Sequence, residues 1–221
     1  ELGIPITNTP GMFGAEVADL AMCYLLGLAR DAFYIDREIR KGAWPKPAGI
    51  SLSGKTLGIV GLGDIGRNIA KRAQAHDLKV CAWDPHAQSV PDYVSVHGTF
   101  PTGIGMCDFI VFACALTESN YHMFNEVLLK DVKPGVRVIN VSRGPLIDEA
   151  ILAQGLDSGV ISSAALDVFE VEPVAPDNPI LTHPKCIVGS HNGSNTIDAV
   201  VRASFEAIRL LNKMLKESSE H

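Results

Sequence analysis

The chain has 221 residues, 47% of them hydrophobic, and a formal net charge of −6. This length and composition can bury the core of one large domain or one and a half. The acidic balance and the lack of a basic block argue against nucleic-acid binding. The longest apolar stretch, Val17–Ala29, contains Asp19 and is too short to span a bilayer. We therefore expect a globular protein that binds neither nucleic acid nor a membrane.

The cysteines show no CxxC pair, and most of them lie inside apolar runs. A free thiol in such a run behaves as a small hydrophobic group. We interpret them as reduced core residues of a cytoplasmic protein, and we expect no metal site. Because the sequence begins at Glu1 rather than Met, a removed leader stays an open alternative. The cysteines are Cys23, Cys81, Cys107, Cys114 and Cys186.

The first predicted element is a short strand, Ile4–Asn8, which Pro10 and Gly11 end. A helix with apolar residues on one side, Ala15–Arg30, follows, and then a polar segment with scattered apolar residues, Arg30–Trp44. A single strand cannot pair its backbone groups or bury both faces alone. We therefore expect Ile4–Asn8 to be the last strand of a second domain whose earlier part is absent from this sequence.

Strands and helices alternate after this N-terminal part. The predicted strands are Thr56–Val60, Lys79–Trp83, Tyr93–Val96, Phe109–Ala113, Val136–Val141, Ser163–Val168 and Cys186–Gly189. The predicted helices are Ile65–His76, Asn125–Leu129, Glu149–Ser158 with Asp148 as N-cap, and Thr196–Lys216. Several strands are apolar throughout, which is typical of parallel strands buried on both faces. The alternation predicts an α/β fold, a Rossmann-type doubly wound parallel sheet, over residues 11–195.

The first of these strands runs into Gly61-x-Gly63-x-x-Gly66, and the second is followed by Asp84. Gly61 permits a tight turn, Gly63 lets the backbone approach a pyrophosphate, and Gly66 lets helix and strand pack closely. The pyrophosphate would lie at the helix N-terminus. Asp84 would accept a hydrogen bond from a ribose hydroxyl and repel a 2′-phosphate, which favours NAD over NADP. Alone, the glycine pattern is also typical of an ordinary turn; the order of strand, loop, helix, strand and acid favours the cofactor.

Polar residues follow the last three strands, at the edge where open α/β sheets bind ligands. Arg143 can bind a carboxylate with a planar fork of donors and polarise a carbonyl. His191 can exchange a proton with the substrate oxygen. Glu172, if close, would orient the imidazole and stabilise its cationic form. We predict that the three converge in a 2-hydroxy acid dehydrogenase site, and that Asp167, inside an apolar strand, needs buried partners.

Each of these residues also has a plainer interpretation. Arg143 could be a solvated residue at a strand end, Glu172 part of an acidic turn before Pro173, and His191 a group that satisfies local backbone. The other histidines show no comparable setting, and we interpret them as structural or surface residues. They are His76, His86, His97, His122, His183 and His221.

Four motifs, VGLGDIG, NVSRGPLID, AALDVFEVEP and SHNGSNT, stand in the order seen in the D-isomer specific 2-hydroxyacid dehydrogenases. The chain resembles this family over nearly its whole length, and ACALT and SHNGSNT are most similar to its phosphoglycerate dehydrogenases. The resemblance implies an NAD-dependent enzyme that moves a hydride between the cofactor and a D-2-hydroxy or 2-keto acid, with 3-phosphoglycerate and serine biosynthesis as one candidate setting. It implies that Arg143 binds substrate, that His191 donates the proton and that Glu172 supports the histidine.

The resemblance also implies cofactor contacts. The backbone of Asp64 and Ile65 would meet the pyrophosphate, Asp84 the ribose and Asp167 the carboxamide. The other positions assigned to the cofactor are Gly61, Gly63, Gly66, Cys114, Val141, Ser142, His191 and Gly193. Family members often carry a His and a Pro at positions 113 and 115, where this chain has alanines, so contacts there can differ.

The family further implies a homodimer, for which Ala15–Arg30 and Arg37–Trp44 are the candidate segments. Members of the family also have a substrate domain. Residues 1–10 would contribute its last strand, and residues 196–221 would form a helix that returns to it. That domain closes the cleft, so the resemblance implies that this chain binds NAD but turns over poorly.

Two other functions remain open at this point. A protein of the same fold could be an NADH-responsive binding protein or corepressor without turnover. An unrelated NAD-domain enzyme, such as an alanine dehydrogenase or homocysteinase relative, could carry the same glycine loop. The presence of Arg143, Glu172 and His191 in this order favours the dehydrogenase.

Overall fold

The computed structural model describes residues 6–96 and 98–219. Within them the strands are β1 (Thr56–Val60), β2 (Lys79–Trp83), β3 (Val94–Val96), β4 (Phe109–Phe112), β5 (Val136–Asn140), β6 (Ile161–Leu166) and β7 (Cys186–Val188). They form one sheet in the order β3-β2-β1-β4-β5-β6-β7, with each neighbouring pair parallel. The strand order reverses between β1 and β4, which confirms the predicted Rossmann-type doubly wound sheet.

The helices cover both faces of this sheet. They are α1 (Gly14–Arg30), α2 (Ala32–Arg40), α3 (Asp64–Ala75), α4 (Glu126–Asp131), α5 (Glu149–Ser158), α6 (Pro179–Thr182) and α7 (Ile197–Ser219). Along β4, Phe109 and Val111 belong to the apolar layer that contains residues of α1 and α3. Ile110 and Phe112 belong to the layer that contains residues of α4 and α5. Alternate residues of a central strand therefore enter two separate cores, as expected for a parallel sheet buried on both sides.

The predicted elements from β1 to β7 are present, with ends that differ by at most two residues. Asp148 accepts hydrogen bonds from the backbone N–H groups of Ala150 and Ile151, which confirms it as the N-cap of α5. The prediction that Asp167 lies inside a strand is wrong, because β6 ends at Leu166. Its carboxylate instead accepts backbone N–H groups from a neighbouring loop.

The N-terminal predictions need correction. Ile4 and Pro5 of the predicted strand lie outside the described residues, and Ile6–Asn8 is irregular, with Ile6 exposed. The polar segment after α1 contains the helix α2, which the polar pattern did not predict. Arg37 of α2 donates to the carbonyl of Pro184 at 2.9 Å, so a contact distant in sequence helps to hold this helix.

Two further findings concern the helices. In the described part of the chain, no helix combines the length and apolar character needed to cross a bilayer. The interpretation of the cysteines as core residues is wrong for Cys23, which is exposed, because it lies on the face of α1 that points away from the sheet.

Candidate functional site

Three glycines shape the loop between β1 and α3. Gly61 has a φ of +96°, which L side chains rarely adopt, and its N–H donates to the carbonyl of Trp83 at 2.8 Å. A Cβ at Gly66 would collide with the carbonyl oxygen of Gly61, whereas a Cβ at Gly63 would meet nothing within 4 Å. The fold itself therefore requires Gly61 and Gly66, while Gly63 leaves open space at the N-terminus of α3.

A cleft of about 900 Å³ opens beside this loop, at the carboxyl edge of the sheet. One side is formed by the glycine loop and Asp84, the other by residues after β4 that include Cys114. The N–H groups of Leu62 and His86 hold the Asp84 carboxylate at 2.7 and 2.8 Å. Each carboxylate oxygen has a second lone pair that can accept a further donor. An open glycine at a helix N-terminus beside an oriented carboxylate fits the phosphates and a ribose of NAD.

Asp64 and Ile65 begin α3 but border a smaller cavity of about 300 Å³ instead of the large cleft. This cavity is formed with residues 9–14 and Ala113, and Ala113 also borders the large cleft. The Asp64 carboxylate accepts from Nδ2 of Asn68 at 3.1 Å. The predicted contact of Asp64 and Ile65 with the pyrophosphate is made by their backbone, and this contact stays a prediction.

His191 and Glu172 form a hydrogen-bonded pair on the loops after β7 and β6. Nδ1 of His191 lies 2.7 Å from Oε2 of Glu172, and Oε1 of Glu172 accepts the N–H of Phe169 at 3.0 Å. Burial alone would raise the pKa of Glu172, but the two hydrogen bonds and the charges of His191 and Arg143 outweigh it, so the pKa is lowered. Glu172 is therefore ionised at neutral pH and can only accept. The shared proton belongs to Nδ1, and Nε2 is the nitrogen that can exchange a proton with a ligand.

Arg143 lies on the loop after β5, and Nη1 donates to the carbonyl of Ser142 at 2.7 Å. Asn140, the fully buried last residue of β5, holds the backbone of this loop through two hydrogen bonds. Its Oδ1 accepts the N–H of Ser142 at 3.1 Å and its Nδ2 donates to the carbonyl of Arg143 at 2.8 Å. The sequence reasoning missed Asn140, although an amide inside the apolar run VRVIN was a visible signal.

Gly144 brings the loops of Arg143 and Glu172 together. A Cβ at Gly144 would collide with the carbonyl of Phe169, so the two backbones touch at this point. The charge of Arg143 also lowers the pKa of Glu172. The structure thus joins Glu172 directly to His191 and places Arg143 within electrostatic reach of Glu172. The convergence of all three side chains on one substrate stays a prediction.

Asp167 fixes the loop that carries His191. It is 2% exposed, and its two carboxylate oxygens accept the N–H groups of Asn192 at 3.2 Å and Gly193 at 2.8 Å. Its carbonyl accepts the N–H of His191 at 2.6 Å, and the hydroxyl of Tyr24 on α1 donates to Oδ1 at 3.4 Å. These are the buried partners that Asp167 was expected to need. Tyr24 was not foreseen, because 143 positions separate it from Asp167.

The remaining predicted cofactor residues join the loops after β4 and β5. The hydroxyl of Ser142 donates to the carbonyl of Cys114. Burial raises the pKa of the Cys114 thiol to about 11, so this thiol is neutral at physiological pH. Val141 is buried in the apolar layer that contains residues of α1 and α3. Its side chain therefore packs in the core and offers no polar group.

Two histidines interpreted as structural or surface residues lie close to the site. His86 borders the large cleft. Nε2 of His122 lies 3.0 Å from Oε2 of Glu170, two residues before Glu172, so it links the cleft wall to the loop of the candidate acid. His97 and His221 lie outside the described residues.

Comparisons with known proteins concern the sequence and the fold of this chain. A family model described as "D-isomer specific 2-hydroxyacid dehydrogenase, NAD binding domain" matches residues 22–193. Hydroxypyruvate reductase of Thermotoga maritima is 38% identical over 98% of this chain and 71% of its own length. D-3-phosphoglycerate dehydrogenase 3, chloroplastic, of Arabidopsis thaliana is 36% identical over 93% of this chain but 36% of its own length. A crystal structure of a glyoxylate reductase from Paecilomyes thermophila matches with a TM-score of 0.90 at 31% identity, over 98% of this chain and 66% of that chain.

Proposed function

Because the chain belongs to the D-isomer specific 2-hydroxyacid dehydrogenase family and carries its NAD-binding domain, we propose that it serves hydride transfer between NAD(H) and a D-2-hydroxy acid or its 2-keto acid. The 2.7 Å hydrogen bond between His191 and Glu172, on the same sheet edge as the glycine loop, is the observation that carries this proposal. A histidine held by an ionised carboxylate suits proton transfer to a substrate oxygen near neutral pH.

The nicotinamide cofactor, when bound, supplies or accepts the hydride. In the reducing direction Arg143 binds the substrate carboxylate and draws negative charge onto the carbonyl oxygen. Nε2 of His191 gives that oxygen a proton, and Glu172 holds the imidazole in place through its hydrogen bond to Nδ1. In the oxidising direction His191 takes the proton back.

We propose NAD over NADP as the preferred cofactor. The support is Asp84, whose carboxylate is held beside the glycine loop by two backbone N–H groups. A ribose hydroxyl can donate to this carboxylate, whereas a 2′-phosphate would meet a like charge.

The substrate is proposed as a class: small 2-keto and 2-hydroxy acids, with 3-phosphoglycerate as one candidate. The names of the matched relatives point to hydroxypyruvate, glyoxylate and D-3-phosphoglycerate. The chain spans about a third of the Arabidopsis relative's length. We expect the 221-residue chain to bind NAD but to turn over slowly, because cleft closure in these enzymes needs a second domain.

The test is oxidation of NADH by the chain in the presence of glyoxylate, hydroxypyruvate or 3-phosphohydroxypyruvate. His191→Asn removes the ring nitrogen that exchanges the proton, and we expect kcat to fall about 100-fold, a larger change than that in NADH affinity. Glu172→Gln should lower kcat by a smaller factor. NADH binding without oxidation by any of the three acids, in a protein that also contains the substrate domain, would favour the NADH-responsive binding protein. A wild-type kcat in His191→Asn would refute the assigned role.

We further propose a cytoplasmic homodimer that associates through α1, α2 and the segment after them. Leu26, Phe33, Ile39 and Trp44 expose apolar side chains there, and such patches mark association surfaces. Sedimentation of the chain as a monomer at micromolar concentration would contradict the dimer.

Two domain limits are proposed as well: residues 11–195 as the NAD-binding domain, and α7 as a helix that returns to a substrate domain. The support is a row of exposed apolar side chains on α7, namely Val200, Val201, Phe205, Ile208, Leu211 and Leu215.

A further inference from the structure

Asp64 puts a carboxylate in the first turn of α3, the helix whose N-terminus adjoins the open space at Gly63. The carboxylate does not face the large cleft; it borders the smaller cavity beside residues 9–14. It occupies the space that a side chain at Gly14 would need, since a Cβ there would collide with it. Asn68 holds it in that direction through a 3.1 Å hydrogen bond.

This placement puts one negative charge near two helix ends. Gly14 begins α1, and Phe13, at its N-cap position, supplies no side-chain hydrogen bond. Negative charge near a helix N-terminus is stabilising, so Asp64 favours both α1 and α3 when no anion is bound. A pyrophosphate at the end of α3 would be a second anion beside the same turn and would repel Asp64.

We propose that the space left by Gly14 is a holding site for the Asp64 carboxylate, which keeps this charge away from the dinucleotide and thereby sets the affinity for NAD(H). The inference rests on the proposed function, in which the N-terminus of α3 receives the pyrophosphate. Asp64 stabilises the unliganded fold and opposes cofactor binding, and Gly14 limits that opposition by giving the carboxylate room.

The first test is Asp64→Asn, which keeps the shape of the side chain and removes its charge. We expect NADH to bind about threefold more tightly, while the thermal midpoint of the unliganded chain falls. Asp198→Asn is the matched control, because Asp198 is an acid in the first turn of another helix, α7. The control should lower the midpoint without changing the Kd for NADH. Calorimetric titration and thermal unfolding measure the two quantities.

The second test is Gly14→Ala. The added methyl group would displace the carboxylate, which is the movable end of the Asp64 side chain, towards the cleft. We expect NADH affinity to fall about threefold, by the same charge effect with the opposite sign. In the background of Asp64→Asn, Gly14→Ala should leave the affinity unchanged. An equal loss in both backgrounds would mean damage to the loop and would overturn the proposal.

The outcomes separate this inference from the function on which it rests. If the wild-type chain does not bind NADH, the proposed function fails and the inference fails with it. If the wild type binds and Asp64→Asn does not bind more tightly, only the holding site is overturned. The difference in Kd between wild type and Asp64→Asn should also shrink at high salt, because salt screens exposed charges.

Discussion

The two parts of the site are held in different ways. The loop between β1 and α3 keeps its shape because its glycines have no side chain, whereas the loops of the candidate catalytic residues are held by buried polar side chains. Gly61 and Gly66 let backbone approach backbone. Asn140 and Asp167 instead accept or donate four side-chain hydrogen bonds to loop backbone. We call the glycine loop the cofactor half of the site and the loops of Arg143, Glu172 and His191 the catalytic half. The cofactor half should therefore lose stability when a side-chain atom is added, and the catalytic half when a hydrogen-bonding group is removed.

The largest expected effect comes from adding an atom to the cofactor half. Gly66→Ala places a methyl group against the carbonyl of Gly61, and backbone cannot move aside as a side chain can. We expect the free energy of unfolding to fall by about 3 kcal/mol, measured by denaturant titration. Gly63→Ala is the control, because its methyl group meets open space and should cost at most about 1 kcal/mol, the ordinary difference between glycine and alanine at an N-cap. Similar losses in the two variants would contradict the distinction between these glycines.

Removing an acceptor from the catalytic half should have the next largest effect. Asp167→Asn keeps the volume but replaces one acceptor oxygen by an amide that faces a backbone N–H. We expect a loss of about 2 kcal/mol in unfolding free energy, because a buried donor is left unpaired. Asp177→Asn, at an exposed acid, should change stability little. Equal stability of Asp167→Asn and wild type would show that the loop does not depend on this carboxylate.

The smallest effect concerns pH. Because the pKa of Glu172 is lower in the folded chain than its ordinary value of 4.5, its contribution to stability is present above that value and is lost as pH falls through the folded pKa. The pair with His191 is partly exposed, so solvent screening limits the contribution to about 0.5 kcal/mol. Glu172→Gln should be less stable than wild type at neutral pH, and the gap should close in acid. A gap that widens in acid would contradict the assigned ionisation.

The same contrast explains what the sequence could predict. The glycine loop is local: its three glycines, the strand before it and Asp84 lie within one βαβ unit, so their spacing predicts their geometry. The long apolar runs predicted β1, β4 and β5 for the same reason. Arg143, Glu172 and His191 were found because each follows a strand of a parallel sheet, and such strands end at a common edge.

The supports of the catalytic half depend on contacts distant in sequence. Tyr24 meets Asp167 only after α1 has packed onto the sheet, and His122 meets Glu170 across 48 positions. The helix α2 has apolar residues at helical spacing, among them Ala32, Ile35 and Ile39, so a local signal was visible for the helix itself. Its contact with the rest of the fold, in which Arg37 donates to the carbonyl of Pro184, joins distant parts of the chain. No local pattern encodes these pairings, so they could be predicted only from the folded structure.

The most direct test of the central claim, that the open space at Gly63 exists to receive the dinucleotide, is the affinity of Gly63→Ala for NADH measured by calorimetric titration. We expect a normally folded variant that binds NADH at least about tenfold more weakly than wild type, because the methyl group occupies the approach to the helix end. A folded Gly63→Ala variant with wild-type affinity for NADH would contradict it.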